Sequence, residues 1–386
     1  MSYSIKKRKK INLEKKESIM INLFKVFMSP NVMKPLEEVL YSGFIGEGDN
    51  VKEFENQIKS AFGEPYVLTM NAGTSVLHII YQMLKNGEED VEAIVSPMTC
   101  SATLTPLIAH GIKIVWADIN PKTGNIDPLD VERKITPKTR MIIAVHWGGI
   151  PCDMNGLNKL TEKYNIPVVQ DAAHSLGARY NGKPISQTSD FAMFSLQAIK
   201  HITAIDGGLF VCKNKEYYDR AKLLRWYGIS REVDAKQTKD LRCELDIAEA
   251  GHKMHMNNIN AVVGSENFKH LDEIVGKHRS NALYYNEAFE GKVERVLYPD
   301  YVNPSFWLYT ILIENRDELM EKLKEAGIMS SKVHASNLYH SMFREYYKIL
   351  PGVIEFDKRH LCIPVHWGVT KDEREYIAEQ VIKYAK

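Results

Sequence analysis

"YVLTMNAGTSVLHII", residues 66–80, joins a five-residue apolar run to apolar positions at helical spacing through a short hinge of small residues. A strand that passes into a helix this way is the repeating unit of a mostly parallel sheet. The same pattern recurs with "AIVSP" (93–97), "IKIVWA" (112–117), "MIIAVH" (141–146), "IPVVQ" (166–170), "FAMFS" (191–195) and "GLFVC" (208–212), most of them followed by a stretch of helical period. Seven such runs predict an α/β domain with a seven-stranded, mixed but mostly parallel sheet flanked by helices.

The flanking sequence sets the expected boundaries. Residues 1–21, including "KKRKK", are strongly basic with no apolar run behind them, so we expect a solvated, disordered tail rather than a secretory signal or a membrane span. A large domain is expected over 22–255, a connecting helix over 256–290, and a smaller α+β domain over 291–386, where "FWLYTILI" reads as a strand between helical stretches. The tetrapeptide "VHWG" occurs at 145–148 and 365–368, but the surrounding residues do not match and it marks no repeat.

A formal net charge of +1 gives no reason to expect nucleic acid or a membrane surface as a partner. The five cysteines, Cys100, Cys152, Cys212, Cys243 and Cys362, show neither CxxC nor metal-ligand spacing, which fits a reducing, cytoplasmic compartment and no metal site. No GxGxxG follows a strand and there is no GxxxxGK[ST], so dinucleotides and P-loop nucleotides are disfavoured.

Open α/β sheets place ligands at the carboxyl ends of their strands. After the first run, Gly73, Thr74 and Ser75 stand where a helix begins, and their N–H groups and hydroxyls would suit a phosphate. On this segment alone, Thr74 or Ser75 serving simply as a helix cap is the favoured reading. Asp171 closes the fifth run, where a buried carboxylate needs a cation or a helix to cap. Ser195 closes the sixth, five residues before Lys200. A helix N-terminus for a phosphate, a carboxylate for a protonated ring nitrogen, a serine near the phosphate and a lysine for an aldehyde together point to pyridoxal 5′-phosphate.

These residues lie in an ordered series: "SGFIGEG" (42–48), "EFE" (53–55), "NAGTS" (71–75), "PMTCSATL" (97–104), "VHWGGIPCDM" (145–154), "QDAAHSLGA" (170–178), "FSLQAIKHITAIDGG" (194–208), "GHKMHMNNINA" (251–261) and "EAGIMSSKVH" (325–334). The series resembles the sugar aminotransferases of the DegT/DnrJ/EryC1/StrS family, which have the aspartate-aminotransferase-like fold type I of pyridoxal-phosphate enzymes. The resemblance implies that Lys200 bonds the cofactor aldehyde and that His201, one place out of register with the histidine of the family's dehydratases, is only its neighbour. It further implies that Asp171 faces the ring nitrogen, that Thr74, Ser75 and Ser195 hold the phosphate, and that His174 lies near the phenolic oxygen.

Two positions depart from the family pattern. Cys100 stands where many members stack an aromatic residue on the ring, and Lys253 stands where many reach the neighbouring subunit's phosphate with asparagine. Phe44, His146 and His334 are candidate substrate contacts. The implied reaction moves an amino group from L-glutamate to C4 of a nucleotide-linked 4-keto-6-deoxyhexose, giving a 4-amino-4,6-dideoxy sugar of viosamine or perosamine type for glycan synthesis, in a homodimer with shared sites. Other outcomes on the same scaffold are 3-amino transfer, 3-dehydration, or a non-catalytic binding or regulatory role.

Overall fold

The computed structural model describes residues 20–230 and 246–385. Residues 1–19 of the expected tail, and Cys243, lie outside the described residues. Ile21 at the end of that stretch is held in place: its N–H donates to Gly327 O (2.8 Å) and its carbonyl accepts from Met329 N (2.9 Å).

Before the sheet come α1 (Met33–Tyr41) and α2 (Asp49–Phe62). The sheet and its flanking helices follow as β1 (Tyr66–Met70), α3 (Gly73–Lys85), β2 (Glu92–Val95), α4 (Ser101–Ala109), β3 (Lys113–Trp116), α5 (Pro128–Lys134), β4 (Thr139–Val145), α6 (Met154–Tyr164) and β5 (Val168–Asp171). A small hairpin, β6 (Arg179–Tyr180) and β7 (Lys183–Pro184), precedes β8 (Phe191–Ser195), β9 (Gly208–Cys212) and α7 (Lys215–Leu224).

The seven-stranded sheet has the order β1-β9-β8-β5-β4-β2-β3. Every pairing is parallel except those of β9, which runs antiparallel to both β1 and β8. Each predicted run occupies one strand. The near-continuous apolar character of runs such as "MIIAVH" follows from burial on both faces, and five consecutive residues of β4, Met141–Val145, are buried.

The strand directions bring the site together. The carboxyl ends of β1, β5 and β8 lie on one edge, and the antiparallel β9 starts at that same edge, so Gly207 and Gly208 arrive where Asn71, Asp171 and Ser195 end. Glu55 of "EFE" ties α2 to β1, accepting from Thr69 N (2.8 Å) and pairing with the buried Arg225 (2.7 Å). That partner offsets the cost of a buried carboxylate.

Beyond the sheet, the expected connecting helix is two helices, α8 (Asn258–Phe268) and α9 (Leu271–Phe289). The break has no glycine or proline to announce it. Asn267, fully buried, accepts from Ser29 N and donates to Thr203 O, and His270 next to the break takes φ −102° and ψ 8°. This is the sparsely occupied bridge region, which ends a helix.

The remaining elements are β10 (Val302–Asn303), β11 (Tyr309–Leu312), α10 (Arg316–Glu325), α11 (Pro351–Arg359), β12 (His360–Ile363) and α12 (Lys371–Tyr384). β11 and β12 pair antiparallel, and a core of their own, including Tyr285, Ile311, Leu319, Ile363 and Ile377, packs beneath them.

Candidate active site

A cavity of about 650 Å³ opens at the carboxyl edge of the sheet. Gly73, Thr74, Cys100, Asp171, His174, Ser195, Lys200 and His334 all line it. These residues come from five separate segments of the chain, and the strand topology is what makes them neighbours.

The floor is set by β5. Asp171 Oδ2 accepts from Thr103 Oγ1 (2.6 Å) and Oδ1 from Ala173 N (3.1 Å). Burial pushes its carboxyl pKa up, while these two donors and the charge of Lys200 oppose the rise. A buried carboxylate held this way is suited to a cationic ligand atom.

One wall is the start of α3. The N-cap is Ala72 and no side chain caps the helix, so neither Thr74 nor Ser75 takes the capping role that the segment alone favoured. Thr74 lines the cavity, whereas Ser75 donates its hydroxyl to Asn71 Oδ1 (2.6 Å) and is not among the lining residues. The uncapped first turn leaves N–H groups and the positive end of the helix dipole for an anion. Opposite, Ser195 Oγ accepts from Gln197 N (3.3 Å). Gly208 explains the double glycine: a Cβ there would lie 2.4 Å from Ala72 O and 2.7 Å from Gly73 N, so β9 can approach the helix start only without a side chain.

Lys200 and His201 part company. The lysine faces the cavity, and its near-complete burial lowers the pKa to about 8 against the opposing pull of Asp171 and Cys100. His201 is absent from the cavity lining and is buried beside His278 at 4.7 Å between ring centroids, with Nε2 against Ser305 O (2.9 Å).

His174 stacks on Trp307, 3.9 Å between centroids, and lies 5.5 Å from the His334 ring. Burial, foremost, keeps the pKa values of both histidines low, that of His334 at about 4. Among the described residues, neither His174 Nδ1 nor His334 Nε2 has a hydrogen-bond partner. Both residues line the cavity, so its wall carries two uncharged imidazoles.

Three candidates lie elsewhere. His146 is wholly buried, with Nε2 against Gln170 Oε1 (2.8 Å) and Nδ1 accepting from Cys152 N (3.0 Å), so both ring nitrogens serve the core. Phe44, 79 % exposed, and Lys253 line a second, open cleft together with Trp226, His255 and Asn258.

Sequence reasoning missed Thr103, which stood in the quoted "PMTCSATL" without a role, and Trp307, which was read only as part of a strand. Trp307 lines the cavity just ahead of β11.

The cavity fits pyridoxal phosphate on its own features: an uncapped helix start and a serine at one end, a buried carboxylate at the base, uncharged imidazoles in the wall, and a lysine with a lowered pKa. No helix among the described residues is long and apolar enough to cross a membrane.

Comparison with known proteins agrees with this geometry. The model of the DegT/DnrJ/EryC1/StrS aminotransferase family matches residues 28–382. A UDP-4-amino-4-deoxy-L-arabinose–oxoglutarate aminotransferase from Shewanella sediminis is 31 % identical over 342 residues, covering 84 % of this chain and 87 % of its own. The sugar aminotransferase CalS13 from Micromonospora echinospora superposes with a TM-score of 0.90 at 35 % identity, over 95 % of this chain and all of its own. Spr1654 from Streptococcus pneumoniae, solved in a pyridoxal-phosphate form, gives a TM-score of 0.86 at 25 % identity, over 94 % of this chain and 98 % of its own.

Proposed function

The chain belongs to the DegT/DnrJ/EryC1/StrS aminotransferase family, and from that premise we propose that it transfers an amino group from L-glutamate to C4 of a nucleotide-linked 4-keto-6-deoxyhexose. The product is a 4-amino-4,6-dideoxy sugar of viosamine or perosamine type, destined for a glycan. At the coarser level, it is a pyridoxal-phosphate-dependent nucleotide-sugar aminotransferase. The observation that carries the reading is the meeting of Lys200, Asp171 and His174 in one cavity beside the uncapped start of α3. The choice of C4 and of glutamate is supported by the Shewanella relative, whose name pairs a 4-amino sugar with oxoglutarate.

In this reading Gly73, Thr74 and Ser195 hold the cofactor phosphate, Asp171 holds the proton on its ring nitrogen, and Lys200 carries its aldehyde. When bound, pyridoxal phosphate supplies the carbon that accepts the amino group and a ring that delocalises the electrons left by a departing proton. Lys200 moves that proton. A pKa of about 8 leaves part of the amine neutral near neutrality, as a general base requires. His174, which lines the cavity, is kept uncharged by burial. Cys100 lines the cavity but has no ring to stack on the cofactor.

We place Phe44 and Lys253 in a homodimer, where their cleft would meet the cavity of a second copy and Lys253 would add a cation near the phosphate. The test of the substrate is a panel of UDP-, dTDP- and GDP-linked 4-keto-6-deoxy sugars with glutamate, with products identified by NMR. Amination at C3, or loss of the C3 hydroxyl without amination, would replace this reading with one of its scaffold alternatives.

A further inference from the structure

We propose that Trp307 is a positioning residue whose indole face holds the Lys200 ammonium whenever that lysine is not joined to the cofactor, and whose N–H fixes the loop carrying it. The proposal rests on the reading of Lys200 as the cofactor lysine. Lys200 Nζ sits 3.5 Å from the centroid of the Trp307 ring. The indole N–H donates to the carbonyl of Ile199, the residue just before the lysine, at 2.8 Å. One side chain therefore holds both the carbonyl just before the lysine and the lysine's charged tip.

The surrounding structure fixes Trp307 from several sides. Ser305 N donates to Gly149 O and Leu308 N to Gly148 O (both 3.1 Å), while Ser305 Oγ donates to His174 O (3.1 Å). His201 and His278 bind the carbonyls of Ser305 and Phe306. Gly149, with φ +94°, admits this close approach, since a Cβ there would lie 2.6 Å from His174 O.

Between these anchors Phe306 adopts φ +50°, a conformation that is strained for a bulky side chain. The turn sends consecutive side chains to different places: Phe306 packs with Tyr298 and Tyr309 in the C-terminal core, and Trp307 enters the cavity. A side chain held in place at the cost of backbone strain is unlike casual packing.

The electrostatics give the arrangement a purpose. Among the described residues Lys200 forms no ion pair within 4.0 Å, and burial opposes its charge. A ring face stabilises a desolvated ammonium less than a carboxylate in contact would, so the cation is held without being locked. The amine stays able to lose its proton near neutrality.

The experiment uses the full chain loaded with the pyridoxamine form of the cofactor, in which Lys200 is free. Trace acetylation with acetic anhydride across a pH series, read by mass spectrometry of the Lys200 peptide, gives its protonation midpoint. A cation–π contact favours the charged form, so Trp307→Leu should lower the midpoint by about one pH unit, and Trp307→Phe, which keeps a weaker ring face, by less. If Trp307 only excluded water, its loss would hydrate the lysine and raise the midpoint. A raised or unchanged midpoint in Trp307→Leu overturns the proposal, as does a fall in Trp307→Phe equal to that in Trp307→Leu. Should the leucine variant not fold, the phenylalanine variant decides, and an unshifted midpoint there overturns the proposal. Borohydride trapping of the wild-type cofactor on a different lysine would instead remove Lys200 from its role, a failure separable from that of Trp307.

Discussion

Thr103 in α4 donates its hydroxyl to Asp171 at the end of β5 across 2.6 Å, and Thr99 lies 2.8 Å behind it, oxygen to oxygen. The bond favours the ionised carboxylate against burial, which raises the pKa. Thr103→Val keeps the shape and removes the donor. A hydrogen bond to a charged group is worth about 1.5–3 kcal/mol, so kcat/KM should fall roughly tenfold or more. The sign for pH follows: with one donor lost, Asp171 keeps its proton to higher pH, and the acid limb of the kcat/KM profile should move upward. A profile with an unmoved acid limb would separate Thr103 from the carboxylate.

Gly208 meets the start of α3 with no room for a methyl group, since a Cβ would sit 2.4 Å from Ala72 O. Gly208→Ala should push β9 and the helix start apart and weaken cofactor binding about tenfold, the scale of a 1–3 kcal/mol overpacking cost. Fluorescence titration with pyridoxal phosphate measures it. The matched control is Gly276→Ala in α9, where nothing lies within 4 Å and the cofactor affinity should stay unchanged. Equal affinities for the two variants would mean that the helix start does not hold the phosphate.

Strand positions were legible because apolar runs between turn residues carry a signal in themselves, and all seven reappear in the sheet. Lys200, which lines the cavity, was singled out through the family resemblance by its spacing from Ser195 and the double glycine. What one sequence does not carry is the direction a strand-end side chain takes. His146 follows β4 much as Asp171 ends β5, yet it turns into the core, where Gln170 and the Cys152 N–H engage it. Trp307 was hidden for a related reason: the reversal at Phe306 is made by a non-glycine residue with φ +50°, and nothing in "FWLYTILI" announces it.

Lys200→Met should stabilise the cofactor-free protein at neutral pH. The folded state gives up the Lys200 proton near pH 8, whereas an unconstrained lysine keeps it to about 10.5. As pH falls from about 10.5 to about 8, the unfolded chain gains a proton that the folded chain does not, so the folded state loses stability; below that window the penalty is constant. A shift of this size corresponds to roughly 3 kcal/mol, which the methionine variant should recover at pH 7 and not above about pH 11. Urea unfolding at both pH values checks it, and a variant no more stable than wild type at pH 7 would contradict the buried, charge-averse setting assigned to Lys200.

The placement of Lys253 bears on assembly. Within one chain it lines the cleft with Phe44 and Trp226 rather than the cavity of Lys200, so a role at the phosphate requires a second copy. Lys253→Ala alone should raise the pyridoxal phosphate concentration needed for half-maximal activity about tenfold, the scale of a lost charge-assisted contact. Mixing then separates sharing from self-service. When Lys200→Ala and Lys253→Ala subunits exchange, a shared arrangement gives each mixed dimer one site with both native residues and one with both defects. Activity at limiting cofactor should therefore rise above that of either parent. If Lys253 serves its own subunit, every mixed dimer contains only the parental defects and no rise occurs. Exchange is verified by native mass spectrometry of differently tagged subunits, and confirmed exchange without recovery would place Lys253 outside the partner's phosphate site.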